Sequence, residues 1–255
     1  MIDTREQAER DRQRAILAKL VLMAETRRPV PGIPTGFPAL DRTLGAGGFP
    51  RGAISELLGP PSSGKTTLAL QWVAHLQASA LTAAWIDADH TFDPAYAASL
   101  GVAIKGLPLA CPQSAEEALE ITRSLVLSGA VDAVVIDSAA ALTPQIEIEY
   151  GVSGPAGLQS RVLASGLNSL ARALVRSDAA ILFLNQTRRR MNPSQGEAET
   201  SAGGPALRLH AVLRLVLTPA GGRSVRFRTL KDKAAEAFRK GELHYQGGLG
   251  FARTP

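Results

Sequence analysis

The chain has 255 residues, 45% hydrophobic and 20% charged, the balance of an ordinary globular protein with one large domain or two small ones. That composition excludes a disordered tail, a coiled coil and a collagen-like chain, and no apolar run is long enough for a membrane span. The net charge of +5 is unevenly spread: residues 1–30 carry +2, residues 31–150 carry −7 and residues 151–255 carry +10. The acidic part suits a divalent metal with a nucleotide and the basic part a polyanion such as nucleic acid, although solvated surface charge gives the same numbers. One cysteine, Cys111, leaves no internal disulfide and no thiolate metal site. The four histidines, at least 15 residues apart, offer no short ligand pair. An N-terminus of alternating charge, with no apolar leader core, points to the cytoplasm.

Residues 3–25 are predicted to form a helix. Asp3 and Thr4 offer caps, Glu6 and Gln7 follow at capping-box spacing, and Ile16, Leu17, Leu20, Val21 and Met23 form the apolar stripe. Pro29-Val30-Pro31-Gly32 ends it, so residues 1–32 read as a helical arm with a linker and 33–255 as the core domain. From residue 53, short apolar strands alternate with helices. The strands are expected at Ala53–Leu58, Leu81–Ile86, Leu107–Cys111, Val131–Ile136 and Ala179–Leu184. The helices are expected at Lys65–Ser79, Pro94–Leu100, Ala115–Ser128 and Leu158–Val175. Continuous apolar strands separated by helices indicate an α/β fold with a mostly parallel sheet covered on both faces. Val212–Leu217, Val225–Leu230 and Glu242–Tyr245 have short connections and predict an antiparallel extension at one edge.

Gly59-Pro60-Pro61-Ser62-Ser63-Gly64-Lys65-Thr66 matches the phosphate-loop pattern Gly-x-x-x-x-Gly-Lys-Ser/Thr, between an expected strand and an expected helix. The glycines let backbone N–H groups curl around phosphate oxygens, and the helix N-terminus adds unpaired donors. Lys65 supplies a full positive charge, and the Thr66 hydroxyl suits Mg²⁺. Asp137 ends the apolar run Val134-Val135-Ile136 at the same sheet edge and is a second candidate metal ligand. Asp87 and Asp89 end another strand in the same way, and one of them is a candidate to orient an attacking water.

These residues resemble the bacterial RecA recombinase family, from about Ile33 to about Gly250. The resemblance is carried by Pro34-Thr35-Gly36, Leu44-Gly45-Ala46-Gly47-Gly48, the phosphate loop followed by Thr67, and Ile86-Asp87-Ala88-Asp89-His90. It continues through Asp93-Pro94, Tyr96, Ser128-Gly129-Ala130-Val131-Asp132, Asp137 to Pro144, Asn185-Gln186 and Lys231-Asp232-Lys233. It implies a RecA-type P-loop NTPase core that uses ATP and Mg²⁺. Asp93 and Tyr96 match an adenine-contacting pair, Asp89 a catalytic carboxylate, and Gln186 a γ-phosphate sensor. Lys231 and Lys233 match lysines that reach the ATP of an adjacent subunit. Arg161, after a first loop at about Glu149–Gly157, matches a DNA-contacting arginine. A second loop at about Thr187–Pro205 begins Arg188-Arg189-Arg190 and ends Gly203-Gly204; its guanidiniums suit phosphate oxygens. The implied function is a filament-forming, DNA-dependent ATPase that binds single-stranded DNA and promotes strand exchange in recombinational DNA repair and the SOS response.

Some positions depart from the family's pattern. Asp89 stands where the family has a glutamate, a carboxylate about 1.5 Å shorter in reach, and a misplacement near 1 Å costs on the order of 10²-fold in rate. Gln195 replaces a large apolar residue, Pro205 an asparagine, and Leu209 an aromatic at a subunit-contact position. The sequence stops at Pro255, where the family continues into a small C-terminal domain that helps capture duplex DNA. These departures keep a second reading open: a RecA paralogue acting as a nucleotide-binding accessory in translesion synthesis, with a partner from the DNA-damage response.

Overall fold

The computed structural model describes residues 9, 10, 12–17, 31–151, 154, 155, 157–189 and 199–253. Two units part after Val30, Met1–Val30 and Pro31–Pro255. In the first, residues 9, 10 and 12–17 are helical, and the rest of the expected helix over 3–25 lies outside the described residues.

The second unit is organised by one sheet. Its elements in chain order are α1 (Pro38–Asp41), β1 (Ala53–Gly59), α2 (Lys65–Ala78), β2 (Ala83–Asp87), α3 (Pro94–Ser99), β3 (Leu109–Ala110), α4 (Ala115–Ser128) and β4 (Ala133–Asp137). There follow α5 (Gln145–Tyr150), α6 (Leu158–Leu174), β5 (Ala180–Arg189), β6 (Glu199–Ser201), α7 (Pro205–His210), β7 (Leu213–Pro219), β8 (Ser224–Asp232) and β9 (Lys240–His244). The strand order is β3-β2-β4-β5-β1-β7-β8-β9, with β6 pairing to β5. Neighbours from β3 to β7 are parallel, and the β7-β8-β9 end is antiparallel. This is the mostly parallel, helix-flanked sheet of a RecA-type core, with the antiparallel extension the sequence predicts. Among the described residues no helix is long and apolar enough to cross a membrane.

The parallel strands are apolar throughout because both sheet faces are covered. On one face α2 buries Leu68, Trp72, Val73 and Leu76 against Leu57, Leu182 and Leu215. Nearly every side of α2 is buried, so its sequence lacks a clear polar stripe. On the other face α4 and α6 pack over Ile54, Val134, Ile181 and Phe183. Here α6 is amphipathic: Leu163, Leu167, Leu170 and Leu174 recur at helical spacing and are buried. Truncating one of these leucines to alanine costs about 2–5 kcal/mol. Helix α4 starts where Ser114 accepts from the Glu117 N–H at 3.2 Å, and it stops at Gly129 with φ 68°.

Two expectations are revised. The strand over Leu107–Cys111 shrinks to Leu109–Ala110, because it is an edge strand that follows a 3-10 turn and pairs with β2 through two residues only. The strand expected to end at Leu184 runs on to Arg189, because β6 supplies a partner for Thr187, Arg188 and Arg189. The segment read as a loop over Thr187–Pro205 therefore begins as a strand, and Pro205 is the first residue of α7.

Candidate functional site

The parallel strands end at one sheet edge, and their register brings the motif residues together. Gly59, the last residue of β1, lies opposite Gln186 of β5, and Asp87 of β2 lies opposite Asp137 of β4. The chain turns from Gly59 through Pro60-Pro61-Ser62-Ser63-Gly64 into the N-terminus of α2. Two glycines make this turn possible. A Cβ on Gly59 would lie 2.7 Å from the Leu217 carbonyl oxygen. Gly64 has φ 85°, and a Cβ there would lie 2.5 Å from the Phe251 ring. The loop is thus held from behind by Phe251, whose N–H donates to Gln71 Oε1 at 2.8 Å and whose carbonyl accepts from Gln71 Nε2 at 2.9 Å. The sequence reading missed Phe251 and Gln71. The signal was a glutamine on the otherwise apolar stretch of α2, 180 residues from its partner.

Lys65 Nζ donates to the loop carbonyls of Gly59 at 3.1 Å and Pro60 at 2.9 Å, and reaches Ser63 Oγ at 3.5 Å. Burial pushes its ammonium below the ordinary lysine range, against the pull of Asp137 and Asp89. Thr66 Oγ1 donates to Asp137 Oδ2 at 2.9 Å. Burial, with the charges of Asp89 and Asp87 adding, raises the Asp137 carboxyl to about 6; the Thr66 hydrogen bond and Lys65 act the other way. Asp89 accepts from the Ser138 N–H at 3.2 Å and from Ser138 Oγ at 3.1 Å. Asp87 is occupied in its own turn, accepting from the N–H groups of Thr91 and Phe92. That leaves Asp89 as the strand-end carboxylate whose hydrogen bonds come from beside Asp137.

Of the expected adenine pair, Tyr96 reaches α2 and Asp93 caps its own helix. Asp93 Oδ1 caps α3, accepting from Ala95 N–H at 2.8 Å and Tyr96 N–H at 3.0 Å. The Tyr96 hydroxyl is 2.7 Å from Thr67 Oγ1. Burial raises its phenol above the ordinary tyrosine range; the Thr67 bond opposes this and a bond with Tyr245 adds to it.

Chemically, Thr66 and Asp137 form a pair of hard oxygen ligands next to a lysine and an open helix N-terminus. The donor set fits Mg²⁺ with a triphosphate, because Mg²⁺ keeps water and phosphate oxygens beside one or two protein ligands. Among the described residues no three of His, Cys, Asp and Glu cluster as a protein-only metal site.

A second place opens beyond Gln186. A cleft of about 430 Å³ is lined by Glu147, Gly154, Gly157, Ser160, Gly203 and Gly204, so the two segments read as DNA loops face one space. Gly203 and Gly204, at φ 78° and 73°, lie against α6; a Cβ would come within 2.6 Å of Leu163 and of Ser160 respectively. Arg161 is exposed on the first turn of α6. The backbone of Arg188 and Arg189 belongs to β5, while their side chains, Arg190 and Gln195 lie outside the described residues.

Lys231 and Lys233 are not brought to the phosphate loop. Lys231 of β8 pairs with Arg214 of β7, which itself lies opposite Glu56, the middle residue of β1, three residues before Gly59 and two strands away from Lys231. Lys231 Nζ donates to the Arg208 and Leu209 carbonyls at 3.0 and 3.2 Å, closing the C-terminus of α7. Burial lowers its ammonium below the ordinary range, and nearby Lys233 and Arg214 add to this. Lys233 is exposed.

Comparison with known proteins gives a consistent result. A family model described as the RecA N-terminal domain matches residues 6–251. Protein RecA of Frankia casuarinae is 45% identical over 240 residues, covering 90% of this chain and 69% of that protein. Protein RecA of Leifsonia xyli subsp. xyli is 43% identical over 256 residues, covering 96% and 71%. Protein RecA of Caulobacter vibrioides is 43% identical over 235 residues, covering 88% and 66%.

Proposed function

The chain belongs to the RecA family, and from that premise we propose that it is an ATPase that assembles on single-stranded DNA and promotes strand exchange in recombinational repair. The observation that carries this reading is the path of β5. One strand passes Gly59 of the phosphate loop at Gln186 and continues without a break through Arg188 and Arg189. A change at the γ-phosphate position therefore has a rigid route to the basic segment, which is what nucleotide-controlled DNA affinity requires.

In this reading Lys65 and the loop N–H groups hold the β- and γ-phosphates, and Thr66 and Asp137 hold Mg²⁺. The bound metal supplies charge neutralisation on the phosphate oxygens. Tyr96 and Asp93 position the base, and Asp89 orients the water that attacks the γ-phosphorus. Its reach is short, so turnover is slow. Lys231 and Lys233, remote from their own phosphate loop, act on the nucleotide of an adjacent copy in a filament. Cations supplied in this way are worth about 10³–10⁵ in rate in other phosphoryl-transfer enzymes. Arg161, Arg188, Arg189, Arg190, Gly203 and Gly204 form the DNA face, a phosphate-binding surface with a steep salt dependence.

The test is ATP turnover with and without single-stranded DNA, alongside electron microscopy of the same mixture. DNA-stimulated turnover together with filaments is expected; a normally folded protein with neither would sink the reading. Asp89 and the exposed Leu209 on α7 favour one alternative, an accessory paralogue in DNA-damage tolerance that binds nucleotide without pairing DNA. Long filaments on DNA with ATP exclude that alternative.

A further inference from the structure

The central strands bury a charged pair that the nucleotide chemistry does not use. Glu56 of β1 is 0% exposed and Arg214 of β7 is 8% exposed, and Arg214 Nε donates to Glu56 Oε2 at 2.6 Å. The other carboxylate oxygen, Oε1, accepts from Asn185 Nδ2 at 2.8 Å, and Asn185 is also 0% exposed. Replacing a buried ion pair with apolar residues of similar size is often neutral or stabilising, so stability alone does not account for this one.

Its neighbours supply a reason. Asn185 precedes Gln186, and its Oδ1 accepts from the Gln186 N–H at 2.8 Å. Its Nδ2 also donates to the Ala202 carbonyl at 3.0 Å, and the Ala202 N–H donates to the Gln186 carbonyl at 3.2 Å. One side chain therefore joins the residue opposite Gly59 to the returning end of the basic segment, immediately before Gly203 and Gly204. A carboxylate accepts and does not donate, so Glu56 obliges the Asn185 amide to present NH₂ to it and to Ala202, and oxygen to Gln186. Arg214 in turn holds Glu56 in place.

We propose that Asn185 is a positioning residue, oriented by the Glu56–Arg214 pair, that makes Gln186 and the Ala202–Gly204 end of the DNA segment move as one unit. This rests on the reading above, in which Gln186 senses nucleotide and the segment grips DNA. Without the amide, both ends of the segment remain tethered only by backbone bonds, and nucleotide occupancy ceases to set the DNA affinity.

The experiment measures single-stranded DNA affinity with and without a non-hydrolysable ATP analogue, in the full chain and in Asn185→Ala and Glu56→Gln. For the native chain the ratio of the two affinities is expected within about 5–150-fold, the usual span of coupling between sites. Asn185→Ala brings that ratio to within about twofold of one while analogue affinity stays within about threefold. Glu56→Gln, which lets the amide flip, gives an intermediate ratio. A purely structural asparagine would lower the melting temperature and leave the ratio intact, and that result overturns the proposal with the parent reading standing. A native chain with no coupling overturns both. Should Asn185→Ala fail to fold, amide hydrogen exchange on the native chain decides. Analogue binding is expected to change protection across Ala202–Gly204, and unchanged protection refutes the linkage.

Discussion

The candidate phosphate pocket and the proposed DNA face are built on different plans. In the pocket four candidate side chains already have an internal partner: Lys65 on two carbonyls, Thr66 on Asp137, Asp89 on Ser138, Asp93 on its own helix. The glycines there are fixed by close approach, with a ring and a carbonyl where a Cβ would sit. On the DNA face Arg161 is exposed and a Cβ on Gly157 would meet nothing within 4 Å, while Gly203 and Gly204 are held as closely as the pocket's glycines. A ligand of fixed shape needs donors held in place beforehand, whereas a flexible polyanion needs charge within reach. The first plan resists substitution, and the second tolerates it at its arginines though not at Gly203 and Gly204.

Substitutions sharpen that contrast in descending order. Lys65→Ala should lower nucleotide affinity by on the order of 10³-fold in a calorimetric titration, since it removes the full charge aimed at the phosphates. An affinity within tenfold of the native value would break the idea of a pre-built pocket.

Asp137→Asn should act on stability as well as binding. A carboxyl whose titration is raised from its ordinary 3.8 to about 6 in the fold binds its proton more tightly folded than unfolded, so its ionisation opposes folding. The penalty grows as pH rises from 3.8 and is complete above about 6. At neutral pH the asparagine should raise the stability of the ligand-free protein by up to about 3 kcal/mol, while weakening Mg²⁺-dependent nucleotide binding. Denaturant unfolding at pH 7.5 and pH 4.5 checks this: the gain should shrink at the lower pH.

Asp89→Glu restores the missing methylene. It should speed DNA-stimulated phosphate release by about 10–10²-fold without changing nucleotide affinity. No acceleration would mean that the backbone around Ser138 already compensates for the short side chain.

The smallest effect is expected on the tolerant side. Replacing Arg188, Arg189 and Arg190 together with alanine should reduce the slope of log affinity against log salt by about 2, at roughly 0.7 per lost phosphate contact on a single strand. DNA binding at moderate salt should fall about tenfold, with nucleotide affinity untouched. An unchanged slope would place the DNA elsewhere.

The sequence carried the contrast only in part. Strands buried on both faces leave continuous apolar runs, so β1, β2, β4 and β5 are readable, and a side-chain cap with a terminal glycine makes the bounds of α4 identical to those expected. Helix α5 has six residues and buries none of them, so it leaves no periodicity to read. Strand β6 exists through its pairing with β5, a contact that three residues of sequence do not announce. The phosphate loop is local and therefore legible. The Glu56–Asn185–Arg214 arrangement spans separations of 129 and 158 residues, and its single visible sign was a carboxylate inside an apolar strand.

The placement of β1 at the middle of the sheet has a consequence for biosynthesis. Its partners are β5, whose Ala180 pairs with Ala53, and β7, whose Leu213 pairs with Ser55. A ribosome that has released only the first hundred or so residues has made the entire phosphate motif but neither strand that flanks it. The proposed nucleotide pocket is therefore completed only by the later, arginine-rich portion of the chain, and premature termination yields fragments that carry the motif without the strands that frame it.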